Sequence, residues 1–193
     1  MLTIADRLDK IPFILVDSKF QSKEGLGNEL NFHVFDYNPD EELLVQDFIL
    51  ELPERMLRVN TMKQIQIFNL YQIVIHFFER KKYIEKNFLM EERDGSEQLF
   101  NRMRSALKVA TAQDEIVKYI TENIEEDTIV IITGVGAVFS LVRSHVILNN
   151  LQTVVENRPL ILFYPGVFCN GTLKLFGVFE DKHYYRAFQL VER

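Results

Sequence analysis

Thr128-Ile129-Val130-Ile131-Ile132, Thr133-Gly134-Val135-Gly136 and Leu160-Ile161-Leu162-Phe163-Tyr164-Pro165-Gly166 decide how this chain is read. The first group is a short β-branched run after the acidic Glu125-Glu126-Asp127, the pattern of a strand buried on both faces of a parallel sheet. A glycine-rich turn follows. From Ala137 to Leu151 apolar residues recur at helical spacing. After Arg158-Pro159 the second buried strand runs from Leu160 to Tyr164, with Pro165-Gly166 as its expected stop. Strand, glycine turn, helix and strand make a βαβ unit, which requires a parallel sheet with helices packed on it.

Upstream, residues 2–10 predict an amphipathic first helix and Ser18 to Gly25 an exposed loop. Asn31 to Asp36 is a strand, and Asn38-Pro39-Asp40-Glu41 supplies an N-cap, a proline at N1 and a carboxylate at N3 for a helix to about Arg58. Ile65-Gln66-Ile67-Phe68 is the second strand, with Asn69 capping a helix from Tyr71 towards Lys82. The segment 83–124 carries helical signals only, broken at Asp94-Gly95-Ser96 and restarted at Thr111 to Asp114. That is a longer excursion than a simple crossover needs. Downstream, Thr172 to Phe179 and Tyr184 to Val191 are rich in aromatic and β-branched residues and predict an antiparallel pair. The expected fold is therefore three-layer α/β in one domain over residues 1–193. Its mostly parallel sheet would be Rossmann-like or like a degenerate P-loop domain, with a helical insertion at about 83–124 and a C-terminal antiparallel hairpin.

Composition narrows the function. A chain of 193 residues buries roughly 70% of its unfolded surface. Mean hydropathy is near zero, and no apolar run reaches the roughly 18–20 residues of a spanning helix. The first residues lack a signal peptide's basic and apolar regions, and the lone Cys169 suits a reducing compartment, so a cytoplasmic location is expected. Net charge is −6, which argues against autonomous nucleic-acid binding. Arg80-Lys81-Lys82, the densest basic run, fits the solvated end of a helix.

Gly134 and Gly136 satisfy two positions of a dinucleotide fingerprint, but the third falls on Phe139. The acidic residue expected about twenty positions on could only be Glu156, and no phosphate-loop motif occurs. A turn that needs glycine for its dihedrals is the plainer reading. Arg143, Ser144, His145 and Asn149 form a polar stripe on the expected helix, suited to a partner or to tying down a loop. No nucleophile, orienting acid and oxyanion hole come together there. The four histidines lack metal-ligand spacing, so neither metal nor cofactor is expected. Asp36, at a strand end, could hold magnesium or a ribose, although Asp-Tyr-Asn-Pro is turn chemistry. In Tyr184-Tyr185-Arg186, alternation puts Tyr184 and Arg186 on one face, and an exposed tyrosine beside arginine suits an interface.

Several of these stretches also carry a likeness. Gly134 to Phe139, Arg143-Ser144-His145 with Leu148-Asn149-Asn150-Leu151, Phe163 to Gly166, Leu175-Phe176-Gly177 and Tyr184 to Phe188 resemble the BrxB family, as does Ile67-Phe68-Asn69-Leu70. Those are small proteins of bacterial BREX phage-defence systems. The resemblance implies a non-catalytic component that acts as adaptor or scaffold for other BREX proteins. It points above all to PglZ, a large protein of the alkaline-phosphatase superfamily. Two rivals follow from the residues. One is a nucleotide- or nucleic-acid-binding regulator using the 133–136 turn and Arg143. The other is a hydrolase or nuclease with an unrecognised site around Asp36 and His145.

Overall fold

A computed structural model describes residues 2–21, 31–59, 64–143, 146, 151, 158–181 and 183–193. The helices are α1 (Ile4–Val16), α2 (Ser18–Gln21), α3 (Glu42–Val59), α4 (Leu70–Arg80), α5 (Ile84–Asp94), α6 (Ser96–Ala106) and α7 (Glu115–Asn123). The strands are β1 (Phe32–Tyr37), β2 (Gln64–Asn69), β3 (Thr128–Thr133), β4 (Leu160–Cys169), β5 (Thr172–Leu175), β6 (Phe179–Glu180) and β7 (Phe188–Gln189). The fold is α/β with a mostly parallel sheet. Its strand order is β2-β3-β4-β1-β7, with β5 and β6 continuing from β4. β4 is parallel to both β1 and β3, and β7 is parallel to β1.

The chain divides into two compact units, the first comprising 1–67, 125–133 and 155–193 and the second 68–124 and 134–154. In the first, α1 and α3 cover one face of the sheet. Leu8, Ile11 and Leu15 of α1 join Val45, Phe48, Leu52 and Met56 of α3 over Phe35, Ile131, Ile161 and Phe163. The i, i+3, i+4 spacing of these apolar residues is why both segments are helical and why this face turns inward. Thr3 and Asp6 close a reciprocal capping box on α1. Asn38 and Glu41 do the same at the 3-10 turn Pro39–Glu41 that leads into α3. In the second unit α4 packs on α7, and α5 pairs with α6 after the break at Gly95, whose φ is +82°.

Three expectations are corrected. The helix from Ala137 is absent over 137–143, where successive turns stand instead. Val135, Val138, Leu141 and Val142 are buried, and the Val138 carbonyl accepts from the Leu141 and Val142 amides, each at 2.8 Å, so the apolar residues turn inward through single turns without a continuous helix. β4 does not stop at Pro165-Gly166 but changes partner there. Tyr37 is opposite Pro165 in the parallel ladder, and Gly166 is opposite Leu175 in the antiparallel one. A Cβ on Gly166 would run into the carbonyl of Lys174, so only glycine permits the switch. Finally, the antiparallel hairpin is β4–β5, closed by Asn170-Gly171 with φ of +50° and +74°. Asn-Gly supplies the two positive φ angles that a tight hairpin turn takes. The segment from Tyr184 instead leads into β7, parallel to β1.

Candidate functional site

In open α/β sheets ligands collect beyond the carboxyl ends of the strands, and the last two residues of β1 there are Asp36, a fully buried carboxylate, and Tyr37. Strand alternation and the β1–α3 connection fix its position, while its partners come from distant segments. Oδ1 accepts from Arg7 Nη2 at 3.1 Å and Gln189 Nε2 at 3.1 Å. Oδ2 accepts from Arg193 Nε at 2.9 Å and the Phe168 amide at 3.2 Å. A carboxylate offers about four lone-pair positions. All are taken by this chain's own donors, so Asp36 has none left for a metal ion or a ribose.

The two arginines extend the network. Arg7 Nη1 donates to Asp36 O at 2.7 Å and Nη2 to Val191 O at 2.9 Å, with the guanidinium 4.6 Å over the Phe35 ring. Burial pulls the Arg7 guanidinium below its ordinary pKa and the Asp36 charge opposes this, so it remains a cation. Its buried Nε has no partner among the described residues. Arg193 also donates to Asn38 Oδ1 at 3.1 Å and to Gly166 O at 2.5 Å. Nearby, the buried Tyr37 hydroxyl donates to Glu42 Oε2 at 2.7 Å. Burial first, then Glu42, pushes that phenol upward, so it stays a donor. The arrangement clamps α1, β1, β4 and the C-terminal segment together.

Gly134 is needed where it stands. Its φ is +75°, and a Cβ would lie 2.6 Å from Asn69 Oδ1. That same oxygen accepts the Gln72 amide at 3.2 Å and so caps α4. The glycine is thus explained by close approach to the start of α4. Gly136 accepts from the Phe139 amide at 3.4 Å in the run of turns. Arg143 is exposed and lays its guanidinium 4.4 Å over the Phe139 ring. Ser144, His145 and Asn149 lie outside the described residues. Tyr184 is 74% exposed beside Gly171 and Arg186 is exposed too, whereas Tyr185 is buried with its hydroxyl 2.6 Å from Asp181 Oδ2. The expected sidedness of Tyr184 and Arg186 therefore holds without a strand.

The second unit carries a cleft between α4 and α7, with His76 and Tyr119 rings 5.8 Å apart and Arg80, Lys118, Glu115 and Glu122 at its rim. Its volume of about 50 Å³ is far below the roughly 300 Å³ at which small-molecule sites begin. Among the described residues no three histidine, cysteine or acidic side chains are placed to share a metal ion.

The family profile for BREX protein BrxB matches residues 66–190. The chain belongs to the BrxB family. A BREX protein BrxB of Bacillus cereus (strain H3081.97) is 42% identical over 193 residues, covering all of both chains. A BREX protein BrxB of Escherichia coli O9:H4 (strain HS) is 30% identical over 185 residues, which is 96% of this chain and 90% of the relative. No solved structure matches it. BrxB membership makes the chain a component of a BREX system and, with it, of antiviral defence. No helix among the described residues is long and apolar enough to cross a membrane.

The Asp36 clamp is what reading the residues in order missed. Its members are 29 and 157 positions apart, beyond any local motif. The available signal was Arg7 itself, a charge placed next to Leu8 on the apolar side of an otherwise regular amphipathic helix.

Proposed function

We propose that this BrxB-family chain is a non-catalytic adaptor of its BREX system. It acts in the cytoplasm, and its principal partner is the PglZ-type protein of the alkaline-phosphatase superfamily. The observation that carries the reading is the set of apolar side chains left exposed on helices. α5 has no buried residue at all, yet presents Phe88 at 67% and Leu89 at 66% exposure. A surface helix turns its apolar residues inward, and clustered exposed ones mark a surface that another protein covers. The consumed lone pairs of Asp36 support the non-catalytic half of the reading.

Co-expression of the tagged chain with the PglZ protein of the same system, followed by affinity isolation and native mass measurement, tests it. A stoichiometric complex that lacks any hydrolytic activity traceable to this chain is expected. Absence of the complex in the presence of all other BREX proteins would remove PglZ as partner. Loss of phage protection on His145→Ala with the complex intact would revive catalysis.

A further inference from the structure

α3 is apolar on two sides. Val45, Phe48, Leu52 and Met56 are buried in the core. Leu43, Leu50 and Leu57 recur at every seventh position and are 74, 78 and 62% exposed. At 100° per residue these three leucines fall within about 40° of one line, nearly opposite the buried stripe, and that line is about 21 Å long. One stripe is enough to seat a helix on a sheet. A second, with leucine at heptad spacing, is the seam by which a helix joins another helix.

One border of the seam is acidic, and the other carries Gln46 and Pro53. Six carboxylates and two arginines stand between Asp40 and Arg58. Both arginines are already engaged: Arg55 with Asp9 at 2.7 Å and Glu51 at 2.9 Å, and Arg58 with Glu54 at 3.9 Å. Asp47 and Glu54 run along one edge of the leucine line, about 60° and 40° from Leu50. This favours a basic occupant over a second copy. Parallel two-fold packing sets this edge against the other copy's uncharged Gln46 and Pro53 and leaves the acids unpaired, and antiparallel packing about Leu50 brings Glu54 towards the other copy's Asp47. Like charges across such a seam are repulsive. The complementary surface is basic.

We propose that Leu43, Leu50 and Leu57 seat an amphipathic helix of a partner protein, apolar at heptad spacing and bordered by lysine or arginine. This rests on the reading of the chain as an adaptor and adds where the partner docks and by what chemistry. The test uses the tagged full chain co-expressed with the other proteins of its own BREX system. The variants are Leu50→Gln, the triple change Leu43→Gln with Leu50→Gln and Leu57→Gln, and the charge reversal Asp47→Lys with Glu54→Lys. All five positions are exposed, so circular dichroism and urea midpoints should match the parent. Capture of the BREX partner is expected to weaken about tenfold for Leu50→Gln and about 100-fold for the triple variant. The charge reversal should weaken it about tenfold and flatten its dependence on salt.

Undiminished capture by the triple variant, alongside normal capture by the parent, would overturn the docking face and leave the adaptor reading standing. Undiminished capture by the charge reversal would overturn the basic partner. A parent that sediments as a dimer, and a triple variant that sediments as a monomer, would hand the seam to a second copy and overturn the proposal. A parent that captures no BREX protein would remove the adaptor reading itself.

Discussion

Asp36→Asn should be the most damaging conservative change in the first unit. It keeps the shape of the side chain and removes the charge that Arg7 and Arg193 share. The Asp36 side chain is 1% exposed and Arg7 4%, so their pair is desolvated on both sides. Removing one partner of a buried pair costs about 3–5 kcal/mol, because the remaining charge is stranded. The Arg193 side chain is 34% exposed, and water screens its share to within about 1 kcal/mol. We expect Asp36→Asn to cost about 3–4 kcal/mol and Arg193→Gln about 1 kcal/mol. With a urea dependence of roughly 2–3 kcal/mol per molar, the Asp36→Asn midpoint should fall by about 1–2 M. Urea titrations followed by far-ultraviolet circular dichroism read this directly. Adding Arg7→Gln to Asp36→Asn should cost less than the sum of the single changes, since both break one interaction. A midpoint for Asp36→Asn within about 0.3 M of the parent would refute the clamp.

Other expectations follow from single sites. Burial holds the His33 imidazole down to about 4 from 6.5, so it is neutral when folded but binds a proton when unfolded below 6.5. Stability should therefore fall as pH drops from about 6.5 to 4, by up to about 3 kcal/mol. His33→Phe should remove that slope in urea titrations across the window; an unchanged slope would place the cause elsewhere. Gly134→Ala combines a positive φ with a collision against the Asn69 side chain. It should cost about 2–3 kcal/mol by thermal or urea unfolding, against about 1 kcal/mol for Asn69→Ala, which loses only the α4 cap. Asp114 caps α7 through the Ile116 and Val117 amides. Asp114→Ala should cost about 1–2 kcal/mol and Asp114→Asn much less, and equal losses would mean the cap is not the reason for the residue.

Elements whose cause is local were legible in the sequence. The βαβ strands, the Asn38-Pro39 start of α3, the Asn69 cap and the Gly95 break all rest on residues within one or two turns of each other. Where a distant partner decided, the reading went astray. Pro165-Gly166 reads as a stop, yet Gly166 allows β5 to approach closely enough for β4 to continue. The 137–143 segment has apolar residues that satisfy both helix and turn periods over so short a span. Asp36 was correctly placed at the end of β1, but sequence order cannot show that cations 29 residues before it and 157 after it would meet there. Of the surface candidates, Tyr184 and Arg186 were given their sides by alternation alone.

The distance along the chain between Asp36 and Arg193 also sets a timetable. At about 5–20 residues per second, the ribosome delivers the 157 residues that separate them in roughly 8–30 s. Until then the nascent sheet holds a carboxylate whose second cation does not yet exist. A growing chain would keep that corner open to water until Arg193 has been made and has reached Asp36.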